Sequence, residues 1–353
     1  MSSEELKTTM SNSVEIHLSN STMGFSTTTY EDETIVYMCS NDESIKFGAA
    51  AVPFFYYTVF TLSLLGNGLI LFLLLKYEKI KTVTNLFILN LVISDLLFTI
   101  TLPFWAFYHS NEWVFGNGMC KVVSSVFFIG FFSCILFLTV MTMDRYLAVV
   151  HAVSAARTRK LIYVYVASIA IWVISFVSTV PKFVLYGTRK HDSAGILCEE
   201  TGFSADKIDT WRRLGYYQQL TMFFLFPLIV ILYCYTLIVV KLFNTKMHNK
   251  DKAVKLISVI VLAFFICWTP YNVVIFLRLS PGDPCNDYLN NAFYICRNIA
   301  YFHCCINPFF YTFVGTKFRR HLSALLGTNC LSMFRRSSSS SRTSEYSPQT
   351  IYE

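Results

Sequence analysis

The chain has 353 residues, of which 54% are hydrophobic and only 14% are charged. A soluble globular protein usually carries about a quarter charged residues, so this composition argues against an ordinary cytosolic enzyme. The net charge of +7 does not indicate nucleic-acid binding, because the basic residues lie in short segments between apolar runs, where they would face anionic membrane lipids.

Long apolar segments recur along the whole chain. A helix needs about 20 apolar residues to cross about 30 Å of hydrocarbon. The segments without a charged residue or histidine are 47–75, 122–143, 161–181, 214–240 and 256–277. Two more segments, 83–108 and 288–314, qualify if Asp95, Arg297 and His303 are buried polar residues. The sequence therefore predicts an all-α bundle of seven transmembrane helices, since lipid leaves the backbone few alternatives.

The distribution of basic residues predicts the orientation of the bundle. More than half of the 29 Lys and Arg residues lie in segments 76–83, 157–160 and 241–255 and in the C-terminal tail. Basic segments next to spans stay in the cytoplasm, which puts the N-terminus outside. We therefore predict a multi-pass membrane protein, for which the plasma membrane is the expected location. Its parts are an extracellular tail (1–51), a transmembrane domain (52–315), an amphipathic helix (316–328) and a cytoplasmic tail (329–353).

The N-terminal tail contains two candidate modification sites. Asn20 begins an Asn-Ser-Thr sequon, which predicts glycosylation, although such sequons also arise by chance. Tyr30 is followed by three acidic residues and Tyr37 lies shortly after them, which favours tyrosine sulfation and ligand contact. The alternative is a merely solvated acidic run.

Four cysteines lie in segments predicted to be extracellular: Cys39, Cys120, Cys198 and Cys285. An even number of cysteines in an oxidising compartment suggests two disulfides. Position favours Cys120–Cys198, which would hold the long outer loop over the bundle, and Cys39–Cys285. Four cysteines allow three pairings, so the connectivity stays open. Residues 183–186 and 196–199 of the same loop are predicted to pair as a hairpin.

The segment after the seventh span predicts a short eighth helix. Residues 317–326 alternate basic and apolar side chains, as an interfacial amphipathic helix does. Cys330 follows it and is a palmitoylation candidate. The serine-rich run 337–341 predicts a flexible tail that kinases can phosphorylate.

Several polar residues lie where lipid should not tolerate them. Asp95 is about 18 Å into its span, at about 1.5 Å per residue, and needs a hydrogen-bond partner, an ion or a proton. Asn67 and Asn307 lie at comparable depth. A structural polar cluster and a site for a sodium ion or a group of waters are equally consistent with this pattern.

Two arginines lie at opposite ends of the bundle. Arg145, within Asp144-Arg145-Tyr146, falls at the cytoplasmic edge, where position alone indicates an interfacial ion pair with a snorkelling arginine. Arg297 lies in the outer third of its span, where snorkelling is harder. We therefore expect Arg297 to face a ligand-binding cavity ringed by aromatic residues: Tyr56, Trp105, Phe127 and Tyr271.

An enzyme, a metalloprotein and a transporter are disfavoured. His303, Cys304 and Cys305 diverge by about 100° per residue on a helix and cannot chelate one ion together. The sequence suggests no other set of three zinc ligands. A transporter would show repeated halves or a line of midplane charges, and we find neither.

Taken together, these residues resemble the rhodopsin-type family of G-protein-coupled receptors. One motif falls in each span: Gly66-Asn67, Asp95, Cys120 with Asp144-Arg145-Tyr146, Trp172, Pro227 with Tyr235, Cys267-Trp268-Thr269-Pro270, and Asn307-Pro308-Phe309-Phe310-Tyr311. Each motif is weak alone, but all seven in order are specific and cover about residues 50–325.

Within that family the chain is similar to chemokine receptors. The similarity lies in residues 101–105, 144–152, 303–308 and 313–319, and in the second outer cysteine pair. Many chemokine receptors carry a glutamate where Arg297 stands. That difference, with residues 75–78 and 295–298, looks more like the XC-type (lymphotactin) receptor than the CC or CXC types.

The resemblance implies a basic chemokine as the ligand outside the cell and a heterotrimeric G protein, of the inhibitory class, inside. It further implies calcium release, chemotaxis, and regulation by receptor kinases and arrestin. The residues that it assigns to coupling are Asp144, Arg145, Tyr146, Tyr235, Trp268, Pro270, Asn307, Pro308 and Tyr311. A non-signalling scavenger receptor, or another peptide receptor of this fold, is the alternative.

Overall fold

The computed structural model describes residues 42–78, 80, 82–152, 160–191, 195–201, 205–244, 251–279, 287–313 and 322. Within these ranges the chain is a bundle of helices with one two-stranded sheet. The helices are α1 (Asp42–Tyr77), α2 (Val83–Thr99), α3 (Leu102–Ser110), α4 (Gly116–Val150), α5 (Leu161–Leu185), α6 (Ala205–Leu220), α7 (Phe226–Asn244), α8 (Asp251–Leu279) and α9 (Asp287–Phe313). The strands are β1 (Tyr186–His191) and β2 (Gly195–Glu200).

The helices account for all seven predicted spans. Six segments are long and apolar enough to cross a membrane: Ala51–Tyr77, Val83–Ser110, Gly116–Val150, Leu161–Leu185, Thr210–Lys241 and Ser258–Leu279. The 27-residue helix α9 is the seventh, and its lower apolarity reflects the polar side chains that it turns into the bundle. The predicted seven-helix bundle is confirmed.

Large apolar side chains cover the outside of the bundle. Ile169 of α5 and Ile229 of α7 are 65% and 67% exposed. In water an apolar surface of this extent would drive association, whereas lipid tails solvate it. The exposed apolar side chains and the apolar composition of the chain therefore both indicate that these helices lie in a membrane.

Several helices extend beyond the predicted spans. α1 begins at Asp42, inside the segment predicted as extracellular tail, and α8 begins at Asp251 rather than at the first uncharged residue. A count of uncharged residues marks only the part of a helix that lies in hydrocarbon. A helix can continue into water, and acidic residues in its first turn interact favourably with the helix dipole.

The second span is broken in two, which the sequence prediction missed. α2 ends at Thr99 and α3 starts at Leu102, with Pro103 in its first turn. A proline has no N–H and is favoured in the first turn of a helix. Within the break, the Thr101 hydroxyl donates a hydrogen bond to the Phe98 carbonyl at 2.7 Å. Trp105 of α3 packs against the hydrophobic core.

The fifth span contains a π-helical turn, Thr221–Leu225, between α6 and α7. The backbone N–H of Phe226 donates to the Thr221 carbonyl, one residue further than in an α-helix. Pro227 follows directly and cannot donate, so the wider turn accommodates the missing hydrogen bond. Pro270 and Pro308 lie inside α8 and α9, which continue past them.

The outer loop forms the predicted hairpin. β1 and β2 pair antiparallel from Tyr186 opposite Glu200 to His191 opposite Gly195. Only Tyr186 of the predicted first strand lies in β1, because residues 183–185 continue α5 and β1 extends on to His191. A disulfide joins Cys198 of β2 to Cys120 of α4, which confirms that pairing and ties the hairpin to the outer end of the bundle.

Several predicted features lie outside the described residues and stay predictions: Asn20, Tyr30, Tyr37, Cys39, Cys285, Cys330, the serine run 337–341 and most of the eighth helix (316–328). Tyr311 lies within α9, but its side chain is likewise outside the description.

Candidate ligand-binding cavity and inner switch

A cavity of about 290 Å³ opens beside the hairpin at the outer end of the bundle. All five described side chains that the sequence assigns to ligand binding line it: Tyr56, Trp105, Phe127, Tyr271 and Arg297. They come from α1, α3, α4, α8 and α9, so the cavity exists only when these five helices are packed together. The hairpin completes its wall with Tyr186, Cys198, Glu199 and Glu200.

Arg297 is the distinctive cation of this cavity. Its Nη2 lies 3.2 Å from Nε2 of His109, and its guanidinium lies 5.1 Å from the ring centre of Tyr294. Its Nε is buried and has no hydrogen-bond partner in the described part of the chain. Within that part, no carboxylate forms an ion pair with it either. A buried guanidinium with an unused donor is suited to bind an anionic or strongly accepting ligand group.

Aromatic rings form the floor of the cavity and continue inward to Trp268. Tyr301 contacts Tyr56 at 5.5 Å and Phe127 at 5.2 Å between ring centres. Trp268 lies 5.8 Å from Tyr271 and 6.5 Å from Tyr301. A ligand that displaces Tyr271 or Tyr301 would therefore move a ring that contacts Trp268.

Sequence reasoning missed an ion triad in the cavity wall, in which Lys182 and Glu200 are buried and Arg212 is partly exposed. Glu200 accepts from Nζ of Lys182 at 2.7 Å and from Nε of Arg212 at 2.9 Å. Burial raises the pKa of Glu200, but the charges and hydrogen bonds of Lys182 and Arg212 outweigh it and hold the pKa below its ordinary value. The triad connects α5, β2 and α6 and carries a net charge of +1.

The position of Lys182 explains why it was missed. The uncharged run ends at Pro181, so the sequence places Lys182 in the outer loop, whereas the structure places it in the last turn of α5. Gly215 of α6 faces it, and a Cβ there would lie 3.1 Å from Nζ of Lys182. The sequence shows only that Lys182 follows one apolar run and that Gly215 lies within another. Neither feature identifies the residue that it contacts in the fold.

The polar core lies deeper, around Asp95. Asn307 donates through Nδ2 to Oδ2 of Asp95 at 2.7 Å. Asn67 does not reach Asp95; its Nδ2 donates to the Ser63 hydroxyl and the Cys304 carbonyl, both at 3.0 Å. Of the two asparagines predicted at comparable depth, Asn307 therefore binds the Asp95 carboxylate, and Asn67 binds other groups of the core.

Two further side chains meet Asp95, and the sequence analysis overlooked this set. Sγ of Cys134 lies 3.6 Å, and Nε2 of His303 lies 3.7 Å, from Oδ1 of Asp95. All three side chains are buried. The sequence analysis considered only neighbouring residues of one helix. These three side chains come from α2, α4 and α9 and approach one another only in the folded bundle.

Trp268 connects the cavity to this core. It stacks on Phe131 with ring centres 4.1 Å apart, and its indole N–H donates to Nδ1 of His303 at 3.1 Å. Pro270 lies two residues further along α8. Trp268 thus contacts the cavity floor on one side and a neighbour of Asp95 on the other.

At the inner end, Arg145 is held rather than free in solvent. Its Nη2 lies 3.4 Å from Oδ2 of Asp144, and only 11% of its side chain is exposed. It also donates to the Thr84 hydroxyl of α2. Tyr146 and Tyr235 pack against the small apolar cluster of Val149 and Ile238 beside it. The arrangement fits an arginine restrained by a breakable ion pair.

Residues 66–311 match the family described as "7 transmembrane receptor (rhodopsin family)". Fold and match together define a seven-transmembrane receptor, a G-protein-coupled class. The C-C chemokine receptor type 3 of Cavia porcellus is 39% identical over 86% of both chains. The C-C chemokine receptor type 4 of Homo sapiens is 38% identical over 86% of this chain and 85% of its own. The CX3C chemokine receptor 1 of Homo sapiens is 37% identical over 87% and 86%. The chain therefore belongs to the chemokine receptors of the rhodopsin family.

Membership settles the class and the location. The protein is a multi-pass plasma-membrane receptor, and its family consists of signalling receptors rather than enzymes. The prediction of a chemokine-type receptor is confirmed at this level.

Proposed function

We propose that this receptor binds a chemokine outside the cell and activates an inhibitory-class heterotrimeric G protein inside, which leads to calcium release and chemotaxis. The relatives are named as C-C and CX3C chemokine receptors, which supports a chemokine as the ligand. The cavity at one end and the restrained Arg145 at the other supply the two surfaces that such a receptor needs.

The observation that carries the ligand proposal is the buried Nε of Arg297, which has no hydrogen-bond partner in the described part of the chain. The cavity is too small for a folded protein but accommodates the end of a flexible segment. Because Arg297 has a buried donor without a partner, the entering segment should present a carboxylate or a carbonyl oxygen to it. A ligand amine that depends on a carboxylate at this position would be repelled.

The extracellular tail supplies a second, weaker contact. Glu31, Asp32 and Glu33, with Tyr30 or Tyr37 sulfated, would attract a basic chemokine. Such fields mainly raise the association rate and are screened by salt. In this proposal the tail binds the folded body of the ligand, and the cavity binds its flexible end.

Activation would follow from contacts that differ between two states of the bundle. A ligand shifts such an equilibrium only by its difference in affinity for the two states. Displacement of Tyr271 or Tyr301 would move Trp268, and α8 would pivot near Pro270. Release of Arg145 from Asp144, with Tyr235 and Tyr311 moving inward, would open the G-protein site.

A finer proposal concerns the ligand type. We propose an XC-type chemokine, because an arginine stands where many chemokine receptors carry glutamate, and because residues 75–78 and 295–298 look XC-like. The C-C and CX3C relatives make those two ligand types the alternatives.

The test is a panel of XC, C-C and CX3C chemokines applied to cells that express the receptor. We expect one type to suppress cAMP, release calcium and accelerate nucleotide exchange on an inhibitory G protein. Ligand uptake without nucleotide exchange would identify a scavenger receptor and contradict the signalling proposal. A response to C-C or CX3C chemokines alone would contradict only the XC assignment.

The cytoplasmic tail would end the signal. Receptor kinases would phosphorylate the serines of 337–341, and the added negative charge would favour arrestin docking. Replacement of this serine run by alanine should prolong G-protein activation, and arrestin recruitment measured in the same cells should fall.

A further inference from the structure

Asp95, Cys134 and His303 form a buried triangle of potential metal ligands. Sγ of Cys134 lies 3.6 Å from Oδ1 of Asp95 and 3.5 Å from Nε2 of His303. Nε2 of His303 lies 3.7 Å from Oδ1 of Asp95. Each atom comes from a different helix, and each of the three side chains is at most 2% exposed. Receptor signalling as proposed above does not require this combination of carboxylate, thiol and imidazole.

The dimensions of the triangle match a tetrahedral metal site. Zinc binds sulfur at about 2.3 Å, imidazole nitrogen at about 2.0–2.1 Å and carboxylate oxygen at about 2.0–2.2 Å. At tetrahedral angles these lengths place the three ligand atoms about 3.3–3.6 Å apart. The observed separations are within a few tenths of an ångström of these values, so an ion fits with little movement of the helices.

Neighbouring groups orient two of the ligands. Asn307 donates to Oδ2 of Asp95, which leaves Oδ1 directed at the triangle. Nδ1 of His303 lies 3.0 Å from the Ala300 carbonyl, a position in which Nδ1–H can donate while Nε2 presents its lone pair. Outer hydrogen bonds of this kind fix the orientation and tautomer of metal ligands.

We propose that Asp95, Cys134 and His303 bind a zinc-class transition-metal ion, with water in the fourth position. Thiolate and imidazole select such ions over sodium, magnesium and calcium, which prefer oxygen ligands. Cys134 binds as the thiolate, so its proton passes to water as the ion enters.

Occupancy of the site would act on Trp268 through the tautomer of His303. Trp268 donates its indole N–H to Nδ1, which requires the imidazole proton to be on Nε2. A metal on Nε2 forces that proton to Nδ1, where it faces the Ala300 carbonyl and can no longer accept from Trp268. The metal and the Trp268–His303 hydrogen bond therefore exclude each other, and binding releases Trp268.

The direct test uses full-length, metal-free receptor in lipid nanodiscs, with Co²⁺ as the probe. We expect one equivalent of Co²⁺ to produce thiolate-to-cobalt absorption in the near ultraviolet, and Zn²⁺ to remove it by displacement. Because the ligands are buried, each addition should be followed to a plateau in time. Absence of this absorption in the wild-type receptor at saturating Co²⁺ would overturn the proposal without any variant.

Variants assign the absorption to its ligands. Cys134→Ser should abolish it, because serine keeps the size and hydrogen bond of cysteine but not the thiolate. Cys305→Ser is the matched control: it lies two residues after His303, about 200° around the helix, and its thiol donates to the Val59 carbonyl of α1. Retention of the band in Cys134→Ser, or its loss in Cys305→Ser, would place the site elsewhere.

Fluorescence tests the link to Trp268. Zn²⁺ should change the intrinsic emission of the wild-type receptor but not that of Cys134→Ser. Trp268→Phe should keep the cobalt band and lose the Zn²⁺-dependent change. An unchanged fluorescence response in Trp268→Phe would contradict the tautomer link. A response to sodium chloride without thiolate absorption would identify a hard-cation site and overturn the proposal.

Discussion

At the scale of single residues, Arg297 decides which chemistry the cavity can recognise. Its guanidinium contacts His109 and aromatic rings and has no carboxylate partner in the described part of the chain, so its charge is available to a ligand. Sequence reasoning located this residue because an arginine in the outer third of a span has no inexpensive structural role. It also selected four aromatic residues that line the same cavity, since they stand at comparable depths in other spans.

Arg297→Glu should impair activation far more than surface expression, because it reverses the cavity charge and leaves the apolar packing in place. Loss of charge-assisted hydrogen bonds costs about 1.5–3 kcal/mol, which corresponds to about a 10- to 100-fold higher ligand concentration for half-maximal nucleotide exchange. Arg213→Glu is the matched control, because Arg213 is exposed and does not line the cavity. An unchanged dose response in Arg297→Glu would remove this residue from ligand recognition.

Glu200 could not be assigned from the sequence, because its importance comes from partners on α5 and α6. Glu200→Gln should destabilise the receptor, since breaking a buried ion network typically costs about 3–5 kcal/mol. The folded-state pKa of Glu200 lies below its ordinary value of 4.5. Its contribution is therefore complete above that pH and declines as the pH falls below it. Thermal unfolding at pH 7 and at a pH well below 4.5 measures both effects.

The pH-dependent part of this stability loss should be smaller in Glu200→Gln than in the wild type, because glutamine has no proton to gain. Lys182→Met combined with Glu200→Gln should restore part of the stability, because it removes the buried charge that the single change leaves behind. Equal unfolding temperatures for the wild type and Glu200→Gln at pH 7 would show that the triad contributes nothing measurable.

At the scale of helices and strands, the sequence predicted which elements exist better than where each one begins and ends. Apolar runs locate every span, because hydrocarbon thickness imposes a minimum length. They do not locate the helix ends at Asp42 and Asp251, which hydrocarbon does not determine. The break before Pro103 and the π turn before Pro227 depend on where freed carbonyls find donors, and this is a property of packing.

The hairpin shows how one covalent bond turns a loop into part of the site. Cys198 lies in β2 and is joined to α4, and residues of both strands line the cavity. Cys120→Ser with Cys198→Ser should therefore lower ligand affinity by loosening that wall, as measured by equilibrium binding on intact cells at matched surface expression. Cys39→Ser with Cys285→Ser provides the comparison for the second predicted bridge.

The two double variants separate the contributions of the two bridges. A loss confined to the Cys120 and Cys198 pair would show that the cavity wall, rather than the N-terminal tail, limits affinity. Unchanged affinity in that pair would contradict the role given to the hairpin.

At the scale of the whole molecule, a continuous set of contacts runs from the outer cavity toward the inner end. Tyr301 contacts Trp268, Trp268 donates to His303, and His303 lies beside Asp95. The helix that carries Asp95 also reaches the inner end: α2 includes Thr84, whose hydroxyl accepts a hydrogen bond from Arg145. No pattern in the sequence shows this continuity, because each contact joins residues far apart in the chain.

This arrangement predicts that ligand binding and G-protein activation can be separated by one substitution. Arg145→Ala should leave ligand affinity nearly unchanged, because Arg145 lies at the opposite end of α4 from the cavity. It should abolish nucleotide exchange, because the arginine released from Asp144 is the group that the G protein is proposed to engage. Equilibrium binding and nucleotide exchange on the same membranes measure both quantities.

Lys160→Ala is the control for that experiment, since it removes an exposed cation next to α5 on the same side of the membrane. It should leave binding and exchange intact, whereas Arg145→Ala should lose exchange alone. Normal exchange in Arg145→Ala would mean that the ion pair with Asp144 only anchors α4 at the membrane surface. The contacts between cavity and core would then have to reach the G protein through α8 instead.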